Sequence, residues 1–184
     1  MQKLWTPLCQ QLEIDYPIFG FAHDIATVAA ISNAGGYGVY GATRRFPDEI
    51  RAELAIIRSL VGDKPFGVDL VLPPGMPQHN SREAIEAEIS EEHKSFVSGL
   101  IEKYQVPPAS GPGMRTRFIR SSEIEEAQIQ AVLESSVNMF ACGIGAPPEV
   151  LKQAKARGKN TLALIGSPHH VQRAVAAGAD MLVA

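Results

Sequence analysis

The chain has 184 residues, 45% of them hydrophobic and 20% charged, the balance of an ordinary globular protein with room for one sizeable core. A formal net charge of -3 and a pI near 6.0 give no electrostatic attraction for nucleic acid or an anionic membrane surface. No apolar run approaches the roughly 20 residues of a membrane span, residues 1–17 hold no signal-peptide core, and Cys9 and Cys142 lack zinc-site or C-x-x-C spacing, which favours reduced thiols in a cytoplasmic protein.

The first apolar run, Pro17–Ala22, is a predicted strand. Asp24 then caps a predicted helix with Ile25, Val28, Ala29, Ile31 and Ser32 at helical spacing, ended by Gly35 and Gly36. A second strand covers Tyr37–Ala42. Pro47 suits the first turn of the next helix, whose buried face is expected at Ile50, Leu54, Ile57 and Leu60. Phe66–Leu72 is a third strand.

The rhythm then breaks over about residues 76–120. The segment from Arg82 to Tyr104 reads as one or two charged amphipathic helices with Ile85, Ile89, Phe96, Leu100 and Ile101 inward, followed by a Pro- and Gly-rich stretch, Val106–Arg117. Ser122 with Glu125 resembles a capping box for a helix from about Ile124 to Leu133. Strands at Val137–Gly143 and Asn160–Gly166 follow, separated by a helix from Pro147. Ser167 and Pro168 open a last helix, and Asp180–Ala184 is a sixth strand.

Strand, helix, glycine, strand is the pattern of right-handed crossovers in a parallel sheet. It suits an open doubly wound sheet or a closed eight-stranded barrel of about 250 residues. Three features favour the barrel: no G-x-G-x-x-G follows the first strand, the helices are short with tight glycine returns, and the terminal strand has no helix to cover it. The expectation is a single α/β domain over 1–184, an incomplete (β/α) TIM barrel with about six of its eight strands and an insertion after the third.

In such barrels the loops at the carboxyl ends of the strands carry the chemistry. His23 follows the first strand at that end, as either a loop residue satisfied by backbone or a site residue. Asp69 is a charge inside an apolar strand, so it needs a partner, Arg44 or Arg45, or points toward a ligand. The turns at Gly143 and Gly166 hold small residues that let a flat ligand or phosphate approach backbone. Cys142 reads as a buried small hydrophobe, His79 and His93 as solvated, and His169 and His170 as surface helix residues. No metal-ligand spacing is present.

Taken together, PIFGFAHD, ISNAGGYGVYGA, KPFGVDLVLP and the run from FACGIGAPP to AAGADMLVA resemble nitronate monooxygenases, formerly 2-nitropropane dioxygenases. The resemblance covers nearly everything outside about Met76 to Arg120. It implies an FMN-dependent TIM-barrel oxidoreductase that converts alkyl nitronates and O2 to a carbonyl compound and nitrite. It further implies cofactor contacts from Phe21, Ala22, His23, Asp69, Gly143 and Gly166. Phe21, Ala22 and His23 stand where the family usually has Ala-Pro-Met, and Asp69 where it usually has Asn or Gln. The family's catalytic histidine follows the sixth strand, so it is expected beyond Ala184, with the chain read as an N-terminal portion. Two alternatives stay open: an enoyl-reductase-like or other flavin- or phosphate-binding barrel, and a non-catalytic partial barrel whose edge at Asp180–Ala184 pairs with a second copy to form a homo-oligomer.

Overall fold

A short helix that the sequence pattern does not announce, α1 (Pro7–Leu12), precedes the first strand in the computed structural model, which describes residues 4–111 and 118–184. Six parallel strands follow: β1 (Phe19–Ala22), β2 (Tyr37–Gly41), β3 (Phe66–Val71), β4 (Met139–Gly143), β5 (Asn160–Leu164) and β6 (Met181–Val183). Their spatial order is their chain order. A doubly wound sheet reverses its order at a switch point; this one never does, so successive right-handed crossovers lay the connecting helices on one face. The result is a curled half-barrel, the fold class expected from the sequence.

The crossover helices are α2 (Ile25–Asn33), α3 (Pro47–Val61), α6 (Ser122–Glu134), α7 (Pro148–Ala156) and α8 (Pro168–Ala176). Asp24 caps α2 as its sequence suggests, accepting from the Thr27 amide at 2.7 Å. For α6 the cap is Ser121, one residue before the expected Ser122, and its hydroxyl accepts from the Ile124 amide at 3.3 Å. The buried stripe of α3 is Ile50, Leu54, Ile57 and Val61. Leu60 is half exposed, because 3.6 residues per turn carry the stripe to Val61.

Side-chain alternation along the strands divides the core in two. Tyr40, Val68, Leu70, Phe140 and Cys142 pack outward against the helices. Tyr37, Val39, Met139, Ala141 and Leu162 point inward, where Cys9, Leu12 and Ile14 of the α1 region meet them. The inward residues met by α1 include Phe19, Tyr37, Met139 and Met181, each the first residue of its strand. Helix α1 therefore fills the amino end of the barrel interior, and the interior is left accessible at the carboxyl end.

The insertion after β3 forms α4 (Arg82–Glu88) and α5 (Glu91–Lys103), as expected, but its apolar residues do not turn inward. Neither helix has a buried residue, and Phe96 is 65% and Ile101 48% exposed. Helical spacing shows that these residues share a face; it does not supply anything to cover that face. The insertion is tied at its roots, where Pro77 accepts from the Ser122 amide at 2.9 Å and Asn80 donates to the Arg120 carbonyl at 3.2 Å. Part of the Pro/Gly-rich stretch expected at 106–117 lies outside the described residues.

Candidate functional site at the carboxyl ends of the strands

Inward positions near the carboxyl ends of the first four strands are Phe21, Gly41, Asp69, Val71 and Gly143. The register aligns Gly41 with Asp69, Asp69 with Ala141, and Val71 with Gly143. Two of these positions are glycines, so the wall they form is backbone rather than side chain. A Cβ on Gly143 would lie 3.9 Å from Asp69 Oδ1, which places the carboxylate against that wall.

Asp69 is 5% exposed, and its Oδ1 has no hydrogen-bond partner. Of the two readings of Asp69, the ion pair with Arg44 or Arg45 is not formed. Arg45 instead binds Glu53 at 2.9 Å and the Tyr40 hydroxyl at 3.0 Å, on the outward side of β2. Burial pushes the Asp69 carboxyl up from 3.8 to about 6, partly offset by attraction to His23.

His23 sits at the exit of β1 with its ring over the end of β2. Its Nδ1 is 2.8 Å from the Gly41 carbonyl oxygen. A carbonyl only accepts, so Nδ1 carries the proton and donates, and Nε2 is left as the basic nitrogen. Phe21 meets the imidazole edge-on at 5.0 Å. The missing side chain of Gly41 makes this packing feasible, since a Cβ there would lie 2.5 Å from His23 Cε1 and Nδ1 and from Phe21 Cζ. Gly41 is a site residue that sequence reading missed. Its signal was a glycine at the last position of a strand otherwise rich in large residues.

The loop after β4 is fixed by a second close approach. Gly145 has no room for a side chain, because a Cβ would meet the Leu72 carbonyl oxygen at 2.1 Å. Its neighbour Ile144 is 74% exposed with φ of 58°, a conformation that β-branched residues rarely adopt. The loop after β2 is held from outside by buried Gln128 of α6, which donates to the carbonyls of Thr43 at 3.0 Å and Arg45 at 2.7 Å. The Thr43 hydroxyl in turn accepts from the Val71 amide at 2.9 Å. Arg120, at the end of the insertion, donates to the Val71 carbonyl and pairs with Glu125 at 3.2 Å.

Phe21, His23, Asp69 and Gly143 thus share one end of the half-barrel; Ala22 lies at the same strand end, but its side chain packs against the helix-facing core. Gly166, at the end of β5, has open space where a side chain would be. His170 accepts from the Gly166 amide at 3.4 Å, a local turn contact. Cys142 faces the helices, fully buried, and its thiol is pushed up to about 12 by burial and then by the Asp69 charge, so it is no nucleophile. His79 and His93 are exposed, paired with Glu123 at 3.0 Å and Ser90 at 2.8 Å. Among the described residues no group of three His, Cys, Asp or Glu is placed to hold a metal, and no helix is long and apolar enough to cross a membrane. Shallow concavities between α3 and α6 and between α6 and α7 lie on the helical face, away from this end.

An inward carboxylate, a backbone-lined wall and a tautomer-fixed histidine meet at the strand ends, where a barrel of this fold has its candidate site. The profile of the family described as nitronate monooxygenase matches residues 6–184, and the chain belongs to that family. It is 32% identical over 192 aligned residues to the candidate monooxygenase Rv1533 of Mycobacterium tuberculosis, covering 97% of this chain and 50% of that protein. It is 29% identical to a nitronate monooxygenase of Pseudomonas aeruginosa, covering 95% of this chain and 47% of the relative. The chain spans about half the length of the curated relatives it matches. Among solved structures it superposes on the nitroalkane oxidase of Streptomyces ansochromogenes with a TM-score of 0.66 at 24% identity, covering 93% of this chain and 45% of that one. The M276A mutant of FabK from Thermotoga maritima gives 0.65 at 22% identity, covering 98% and 46%. At these identities the structural likeness shows the TIM-barrel fold.

Proposed function

We propose that residues 1–184 are one flavin-holding barrel domain, with 76–120 as an insertion, of a cytoplasmic FMN-dependent oxidoreductase. In this reading it oxidises alkyl nitronates with O2 to a carbonyl compound and nitrite. The observation that carries the reading is Asp69, a buried inward carboxylate with a partnerless oxygen, set against a wall that Gly41 and Gly143 leave as bare backbone. A flat heteroaromatic ring with N–H donors fits such a wall: the glycines let its face approach, and Asp69 Oδ1 accepts from its edge.

When bound, the flavin supplies the oxidation of the nitronate and the reaction with oxygen. The chain's own residues hold and aim. Phe21, His23 and the backbone of Ala22 would border the ring from the β1 exit, Asp69 would accept from its polar edge, and the turns at Gly143 and Gly166 would contribute backbone. Burial pushes the Asp69 carboxyl up to about 6, so it would accept from a ring N–H when ionised and offer an O–H when protonated. The protonated form removes the like-charge repulsion that an ionised carboxylate would exert on a reduced, anionic ring.

The test is to add FMN to the purified protein, follow the flavin absorbance, and measure nitrite released from propyl-2-nitronate in air. Saturable nitrite release that Asp69→Ala weakens through poorer FMN retention supports the reading. Reduction of enoyl thioesters by a nicotinamide cofactor without nitronate turnover overturns it in favour of an enoyl-reductase type of barrel.

A further inference from the structure

We propose that helix α5 is a self-association surface: two copies of this chain pair their α5 helices antiparallel and form a reversible two-fold dimer. The occupant is a second copy because the apolar face of α5 is flanked by charges that complement their own reverse.

Phe96, Val97, Leu100, Ile101 and Tyr104 are between 37% and 66% exposed, and α5 has no buried residue. At 3.6 residues per turn they fall on a single stripe that continues to the end of the helix. A continuous stripe differs from the scattered single apolar residues normal to a protein surface.

The charges decide what covers it. Glu91 and Glu92 occupy the first turn, and Lys103 stands in the last. Glu92 and Lys103 are separated by three turns and about 20°, so both border the Phe96 side of the stripe, about 16 Å apart along the axis. Lys103 Nζ lies 5.3 Å from the centroid of the Tyr104 ring, at the edge of the apolar face. Glu91 holds Lys94 at 2.7 Å, while among the described residues no ion pair forms at Glu92 or Lys103.

A two-fold axis near Val97 and Ser98 turns the helix end for end. Each Glu92 then meets Lys103 of the partner subunit, and Phe96 lies beside the partner subunit's Leu100. A parallel pairing would instead gather Glu91 and Glu92 of both copies at one end and align the helix dipoles alike. One helix per copy makes a small interface, so a dissociation constant on the order of 10–100 μM is expected. Below that concentration the face is bare, and the folded monomer does not depend on it.

The test is sedimentation velocity of the purified protein at pH 8, from about 1 to 500 μM. Matched circular dichroism and Tm are the folding control for each variant. The parent is expected to pass from monomer to dimer across that range. Phe96→Ser should raise the dissociation constant about tenfold or more, as loss of a central aromatic does. Glu92→Lys and Lys103→Glu should each raise it about tenfold, since each sets like charges together at both ends of the pair. The two single variants mixed in equal amounts oppose unlike charges at both ends, and should recover the parent's constant within a few-fold. A protein that stays monomeric throughout overturns the proposal, as does a dimer indifferent to Phe96→Ser, such as one formed through the β6 edge. A mixture that associates no more tightly than either variant alone also overturns it, because the charges then do not pair across an antiparallel interface.

Discussion

Gly145 and Leu72 lock the exit of β4 onto the end of β3: a Cβ on Gly145 would lie 2.1 Å from the Leu72 carbonyl oxygen, well inside van der Waals contact. The obstruction is backbone, so relief requires moving one strand exit against the other. Gly145→Ala is expected to lower unfolding stability by about 1–3 kcal/mol in urea titration. Gly166→Ala is the matched control. Nothing lies within 4 Å of a Cβ there and its φ is not positive, so it should stay within about 0.5 kcal/mol of the parent.

Asp69 gives the protein a pH signature of defined sign. Burial pushes its carboxyl up to about 6 in the folded state, above the ordinary 3.8, so between those values the folded state binds more protons than the unfolded state. Stability contributed by the neutral carboxyl is therefore present at low pH and lost as pH rises through the window from about 4 to 6. The full difference is about 3 kcal/mol at 1.36 kcal/mol per unit. Asp69→Asn should abolish this component, and its Tm advantage over the parent should grow from pH 4 to pH 7. A Tm difference that stays flat across that range would show that Asp69 does not titrate there.

Asp69 and His23 mark the boundary between what local sequence carries and what distant contacts decide. The parallel beat was legible because helical and strand periods, Asp24, Pro47 and the returning glycines are local signals. The carboxyl-end location of His23, Asp69 and Gly143 followed from that beat. The rest depended on contacts between distant segments. Whether Asp69 had a partner turned on Arg45 choosing Glu53, and the tautomer of His23 turned on a carbonyl 18 residues away. Helix α1 escaped notice because PLCQQL is too short for a period to show, although its Cys9 and Leu12 fill the barrel floor. For α5, spacing revealed a shared apolar face and left open what lies against it.

Gln128 supports the site from outside. It is 2% exposed, and its side-chain amide satisfies the carbonyls of Thr43 and Arg45 in the loop after β2. Gln128→Leu keeps much of the volume but withdraws both donors. Leaving buried acceptors short of partners costs about 1–3 kcal/mol. Loss in that range by chemical denaturation is expected, together with faster amide exchange at Val71, whose amide is held by Thr43 Oγ1. An unchanged midpoint would mean that water replaces the amide.

The face of α5 predicts the opposite behaviour. Phe96 is 65%, Val97 52% and Ile101 48% exposed, and the helix has no buried residue. Substituting Phe96→Ser therefore removes little buried apolar area, and the stability change should stay within about 0.5 kcal/mol. A loss of 2 kcal/mol or more, on the scale of a core aromatic, would show that this face is covered in solution.

Both cysteines are fully enclosed, Cys9 at 1% exposure in the barrel floor and Cys142 at 0% against the helices. Reaction with a thiol reagent requires both access and thiolate, and for Cys142 burial removes the first while a pKa pushed up to about 12 removes the second. The native protein should titrate with close to zero thiols in Ellman's assay at pH 8, and with two after denaturation in guanidinium. Asp69 is the second cause of the Cys142 shift, so Asp69→Asn should ease thiolate formation without opening access. Its labelling should stay slow, limited by unfolding. Rapid labelling of that variant under native conditions would show that charge, and not burial, protects Cys142.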